Sequence, residues 1–174
     1  MNYFEFYDIP VAFQIDEDLL KRKYYELSRS FHPDFHTLAS EDQQESALDK
    51  STTNNQAFKT LSNFDERLKY ILGLFGKLKE EGENKVPQDF LMEMMEINES
   101  LMELEMDPSE EAQTTLIKQI KEIERETYQD IAPILDQEIN SLSERDWQSV
   151  SDFYLKSRYL KRLQENVDKL AAEH

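Results

Sequence analysis

An all-α fold, a helical hairpin followed by an antiparallel three-helix bundle, is what this sequence predicts, and three observations predict it. Glycine and proline are scarce, three and five in 174 residues, too few turn formers for a sheet or barrel of this length. Apolar residues recur at spacings of three and four along most of the chain, the period of a helix with one buried face. All three glycines, Gly73, Gly76 and Gly82, fall in one ten-residue stretch, beside the polar run Lys77–Lys85 and Pro87. Breakers clustered in this way mark a boundary between two helical units. We therefore expect a first domain over 1–76, a connection over 77–86 and a second domain over 87–174. The charge shifts at the same place: residues 1–76 carry 8 basic and 13 acidic side chains, and residues 77–174 carry 12 and 24.

The first unit opens on the aromatic run Tyr3, Phe4, Phe6, Tyr7 and Ile9, expected to pack across the hairpin. Asp16 can cap a helix whose first turn holds Glu17 and Asp18, where carboxylates suit the positive end of the dipole. Leu20, Tyr24, Leu27 and Phe31 then share one face. Arg22, Tyr25 and Arg29 lie on the opposite side, with Lys21 and Lys23 on the flanks. This helix must stop at Phe31 or His32, because Pro33 disfavours helical backbone before it and lacks an N–H. A second helix is expected from Glu41 to Leu61 with Leu48, Ser51, Asn55, Phe58 and Leu61 inward. A third, from Asp65 to Leu74, turns Leu68, Ile71 and Leu72 to the core.

Three longer helices follow. Phe90, Met94, Ile97, Leu101 and Leu104 repeat at four-three-four-three, a core stripe. Asp107-Pro108-Ser109-Glu110 reads as a capping box with proline at the first helical position. The helix it opens carries Leu116, Ile120, Ile123, Thr127, Ile131 and Leu135, with Pro133 within it. Ser143 and Asp146 cap a last helix bearing Trp147, Val150, Tyr154, Leu160, Leu163, Val167 and Leu170. An antiparallel bundle is the economical packing of three such helices.

Composition excludes several functions. A formal charge of −17 leaves no basic footprint to displace counterions from nucleic-acid phosphates. The absence of cysteine removes disulfides, thiolate metal sites and cysteine nucleophiles together. No apolar run approaches the ~20 residues of a membrane span, and Met1-Asn2-Tyr3-Phe4-Glu5 lacks the basic start of a secretory signal. We expect a soluble, cytoplasmic protein that binds neither nucleic acid nor membrane and needs no cofactor.

The tripeptide His32-Pro33-Asp34 sits between two amphipathic helices, the first of them basic on its outer face, the second carrying Asn55-Gln56-Ala57-Phe58. Proline stiffens the turn, so the flanking side chains have little ordering entropy left to lose on docking. Asp34 is a short carboxylate able to accept a bidentate pair from an arginine on a partner. The face of Arg22, Tyr25 and Arg29, with Lys21 nearby, gives local positive potential on a very acidic protein, suited to steering an acidic surface. This constellation resembles the J-domain of DnaJ-type co-chaperones. The resemblance implies that loop and basic face together engage a DnaK- or HscA-class chaperone and trigger its ATP hydrolysis, the chain itself not being an enzyme. Phe35 stands where a typical J-domain has lysine.

A second surface is legible further on. Apart from Met1, every methionine lies between positions 92 and 106: Met92, Met94, Met95, Met102 and Met106. Only Met94 falls on the core stripe, so this helix is apolar beyond one core contact, with Glu96, Glu99 and Glu103 interleaved. Methionine is flexible and polarizable, as adaptable binding surfaces require. No basic residue occurs between Lys85 and Lys118, so the region favours a basic partner. The plain alternative is a helix sandwiched between two others and burying a wide face.

Tyr3-Phe4, Phe31-His32-Pro33-Asp34, Phe90-Leu91-Met92-Glu93 and the terminal Arg158-Tyr159-Leu160-Lys161-Arg162-Leu163 are together similar to the HscB family of iron–sulfur cluster assembly, over essentially the whole chain. That resemblance implies a bundle that binds an IscU-type iron–sulfur scaffold through Leu91, Met92, Met95, Glu96, Glu99, Glu103 and Tyr159, the last replacing the Phe of the bacterial pattern. A J-protein serving another client, its bundle used for dimerisation or another partner, is the competing reading, and a weak homo-oligomer is compatible with either. A zinc site on His32 and His36 is disfavoured, since Pro33 breaks the helix such a pair needs and no third ligand is evident.

Overall fold

Asn2 starts the chain's first element by accepting hydrogen bonds from the backbone N–H groups of Phe4 and Glu5, while the Glu5 carboxylate accepts from the Asn2 N–H. This reciprocal cap sets α1 (Tyr3–Phe6). The computed structural model describes residues 1–79 and 82–172. Positions 80 and 81 of the expected connection, and His174, lie outside the described residues. Among the described residues the regular structure is helical throughout. The chain divides into two compact units, Met1–Phe75 and the residues from Gly76 onward.

In the first unit, α2 (Glu17–Ser30) begins where the Asp16 carboxylate accepts the Leu19 N–H at 2.8 Å. It ends with Phe31 as its cap, one residue ahead of the His-Pro pair, as proline demands. A 3-10 turn (Pro33–Phe35) leads on to α3 (Glu41–Ser62), which packs along α2. The short α4 (Phe64–Leu74) closes the unit by packing against α3, with Leu68, Ile71 and Leu72 buried. Phe4, Tyr7, Phe13, Leu20 and Leu61 complete the core, and Tyr3 stacks on Tyr70 at 4.6 Å between ring centroids.

The inward face of α3 differs from the expected one. Leu48 is 59% exposed and Asn55 lies at the surface, whereas Ala47, Asn54, Ala57 and Leu61 are buried. The reason is polar. Asn54 donates through Nδ2 to the Tyr24 carbonyl at 3.1 Å and to Ser28 Oγ at 3.0 Å, both on α2. The Tyr7 hydroxyl donates back to Asn54 Oδ1 at 2.7 Å. Burial pushes the pKa of that hydroxyl up. Ala47 and Ala57 are buried but small, and a face of alanine and asparagine is passed over by a count of large apolar side chains. Asn54→Ala should therefore destabilise the protein by about 2 kcal/mol, since it removes a buried amide that bonds Tyr7, Tyr24 and Ser28 at once. Asn55→Ala should stay within about 0.5 kcal/mol. Denaturant midpoints of the two variants check the assignment, and equal losses would refute it.

Arg67 is the other buried polar residue of this unit, donating through Nε to the Phe13 carbonyl at 2.9 Å and through Nη1 to the Leu61 carbonyl. Burial lowers the pKa of its guanidinium. It ties the α3–α4 corner to the segment ahead of α2, satisfying carbonyls that no helix could reach.

The second unit is built on α5 (Gln88–Met106), α6 (Glu110–Leu135) and α7 (Glu144–Ala172). Phe90, Met94, Ile97, Leu101 and Leu104 are all buried, meeting Leu116 and Ile120 of α6 and Leu160, Leu163 and Val167 of α7. Phe153, absent from the expected stripe, is buried as well. The cap of α6 is Ser109, whose Oγ accepts the Ala112 N–H at 3.3 Å. The expected box on Asp107 is thus displaced: Asp107 terminates α5, and Pro108 precedes the cap instead of occupying the first turn. Two helix ends only a few residues apart leave no room for both roles on one side chain. Ser143 and Asp146 do cap α7 reciprocally, at 2.9 and 3.2 Å, and the Ser143 hydroxyl, donating to Asp146 Oδ2 at 2.6 Å, holds the Asp146 carboxyl below its usual value together with the Ser143 N–H. At the start of this unit, Lys77 pairs with Glu144 at 2.7 Å and lies over the Trp147 ring.

Candidate functional site

The turn after α2 is shaped by three consecutive residues. His32 takes extended backbone, its Nδ1 accepts the Asp34 N–H at 3.2 Å, and Pro33 opens the 3-10 turn. His36 returns the turn to α2 by donating from Nε2 to the Ser30 carbonyl at 2.8 Å. Two histidines of the sequence therefore serve opposite ends of one turn, and neither needs a metal to hold it.

What the turn presents is charge. The Asp34 side chain is 84% exposed and that of His32 53%, with Nδ1 and Oδ2 3.6 Å apart. On α2, Lys21, Arg22, Tyr25 and Arg29 all point to solvent. The Tyr25 ring leans on Tyr24 at 5.4 Å, and Tyr24 stacks on Phe58 of α3 at 4.2 Å. The basic face thus stands on the same two helices whose spacing Asn54 sets. All seven residues expected here are exposed: Lys21, Arg22, Tyr25 and Arg29 on α2, and His32, Pro33 and Asp34 in the turn that follows it. Sequence reasoning missed Phe35, Leu38 and Leu48, apolar and exposed around the same turn. A groove of about 560 Å³ runs between the turn and α3, lined by Phe31, Pro33, Ala47 and Leu48 among others.

In the second unit, α5 carries two adjoining exposed stripes. One is Leu91, Met95, Met102 and Met106, the other Met92, Glu96, Glu99 and Glu103, all on the solvent side. The sandwiched-helix alternative fails, because a helix enclosed by both neighbours would not leave these side chains in water. Tyr159 of α7 lies beside this face, half-buried against the core, with its ring edge-to-face on Phe90 at 5.7 Å. Its hydroxyl accepts from Asn98 Nδ2 at 2.8 Å, and the same nitrogen donates to the Met94 carbonyl. Asn98 is a polar partner of Tyr159 that sequence reasoning missed; its signal was an amide in the middle of a helix of mostly apolar and acidic residues. Lys156 of α7 lies over the Phe90 ring at 5.5 Å, a contact that an apolar pattern could not reveal.

Fold and site together define an all-helical protein of two units: a J-type hairpin with its charged turn exposed, and a bundle with a separate apolar–acidic face. The HSCB C-terminal oligomerisation domain family matches residues 86–168. The chaperone HscB from Vibrio cholerae is similar over 99% of this chain and 99% of its own, with a TM-score of 0.73 and 28% identity. The human co-chaperone protein HscB is similar over 97% of this chain and 81% of its own, with a TM-score of 0.77 and 28% identity. Over nearly its whole length the chain is thus similar to HscB co-chaperones, an all-helical fold with a J-type hairpin followed by a helical bundle, and residues 86–168 match the family's C-terminal domain. No helix among the described residues is long and apolar enough to cross a membrane.

Proposed function

We propose that this chain serves iron–sulfur cluster assembly in the cytoplasm by coupling two partners. Its first domain (1–76) docks a DnaK/HscA-class chaperone and stimulates that chaperone's ATP hydrolysis. Its second (87–174) carries an IscU-type scaffold as client. The chain hydrolyses nothing itself; its role is to be bound more tightly by the hydrolysis-competent state of the ATPase than by the resting one, because a ligand shifts an equilibrium only through such a difference.

One observation carries the reading: a stiff, exposed His32-Pro33-Asp34 turn continuous with the basic face of α2. Lys21, Arg22 and Arg29 steer an acidic chaperone surface, Tyr25 adds contact area, and Asp34 accepts an arginine of the partner. On the bundle, Leu91, Met92 and Met95 offer apolar area, Glu96, Glu99 and Glu103 offer carboxylates, and Tyr159 closes one edge. A scaffold face with apolar residues ringed by lysine or arginine matches that chemistry. Single-turnover ATP hydrolysis by a DnaK/HscA-class chaperone tests the whole reading. The chain should accelerate hydrolysis, and the chain with scaffold should accelerate it further; an unchanged rate in both mixtures overturns it.

A further inference from the structure

Sulfur is distributed unusually in this protein. The 174 residues include no cysteine, and five of the six methionines lie between positions 92 and 106. On α5 they divide sharply. Met94 is fully buried in the core, while Met92, Met95, Met102 and Met106 are 63, 61, 61 and 86% exposed. Met95, Met102 and Met106 run in line with Leu91, and Met92 heads the neighbouring stripe of Glu96, Glu99 and Glu103.

We infer that this methionine ridge is a peroxide-modifiable site that switches the bundle's docking face off, an inference that rests on the docking reading given above. The oxidant is hydrogen peroxide. A thioether lone pair attacks one peroxide oxygen, the S–O bond forms as the O–O bond breaks, and the departing hydroxide takes the proton of the transferred oxygen to leave water. Sulfur loses two electrons and peroxide gains them. With no thiolate in the sequence to compete, exposed thioethers are the soft nucleophiles that peroxide meets. The product matters because of where it forms. A sulfoxide is a strong, polar acceptor, and docking would strip its hydration. Beside Glu96, Glu99 and Glu103, each oxygen adds a further negative end to a face already crowded with acceptors. The partner's apolar contact is lost while the fold is kept, since Met94 and the Phe90–Ile97–Leu101 core stay out of reach. Methionine sulfoxide reductases reverse the change with a dithiol as reductant.

The test begins on the full chain alone, treated with hydrogen peroxide and mapped by peptide mass. One added oxygen should appear at Met92, Met95, Met102 and Met106 well before Met94. Scaffold affinity is then measured before and after treatment, with helicity followed by circular dichroism. We expect binding to weaken about tenfold or more at constant helicity, as a polar group is forced into an apolar contact, and reductase to restore it. A chain with Met92, Met95, Met102 and Met106 all changed to leucine is read only as the ratio of treated to untreated affinity, which should be close to one. Early oxidation of Met94, unaltered binding by the oxidised chain, or a quadruple variant that stays peroxide-sensitive each overturns the inference. Untreated chain that binds no scaffold overturns the docking reading, and the switch with it.

Discussion

Asp34→Asn should leave the protein folded and helical yet cost roughly tenfold to a hundredfold in the stimulation of the chaperone's single-turnover ATP hydrolysis, the worth of a charge-assisted hydrogen bond of about 1.5–3 kcal/mol. The substitution keeps the size of the side chain and removes only its charge. The turn survives because it is held by other groups: the Asp34 backbone N–H on His32 Nδ1, the fixed geometry of Pro33, and His36 on the Ser30 carbonyl. With the Asp34 carboxylate 84% exposed, no packing is lost. A drop in stimulation with an unchanged denaturation midpoint would therefore report on docking alone. Stimulation equal to that of the unmodified chain would remove Asp34 from the proposed mechanism.

The double change Leu91→Ala with Met95→Ala is expected to weaken scaffold binding by about 3 kcal/mol, roughly a hundredfold. These residues are one helical turn apart and exposed, so each removes apolar contact area without opening the core, which is filled by Phe90 and Met94 on the other side of the same helix. Being neighbours, their separate effects should not simply add. Chaperone stimulation by the double variant in the absence of scaffold should be retained, since the charged turn belongs to the other unit. Isothermal titration against the scaffold, alongside the ATPase assay, separates the two outcomes. Undiminished affinity would count against this face as the docking site.

Legibility in the sequence followed chemistry closely. The core stripe of α5 was readable residue by residue because five large apolar side chains at helical spacing admit one solution. The exposed Met–Glu stripes followed from it by elimination. The caps Asp16 and the Ser143–Asp146 pair were readable because a short oxygen side chain ahead of a periodic run has one efficient use. The stop of α2 was dictated by Pro33. By contrast, α3 was placed correctly in the chain but turned wrongly about its axis. Its buried face is Ala47, Asn54, Ala57 and Leu61, and an asparagine is inward only if distant groups meet its amide.

The sequence by itself thus determined the helices, their approximate ends, the stiff acidic turn and the apolar excess on α5, all consequences of local periodicity, capping and proline. Only the packing of distant segments set which polar residues would be drawn inward to bond across elements. Asn54 bridges Tyr7, Tyr24 and Ser28, Arg67 reaches Phe13 and Leu61, and Asn98 holds the Tyr159 hydroxyl. Each joins groups that are mostly tens of residues apart. A buried polar side chain is stable only when its partners arrive from elsewhere, and no pattern along one helix encodes where they will come from.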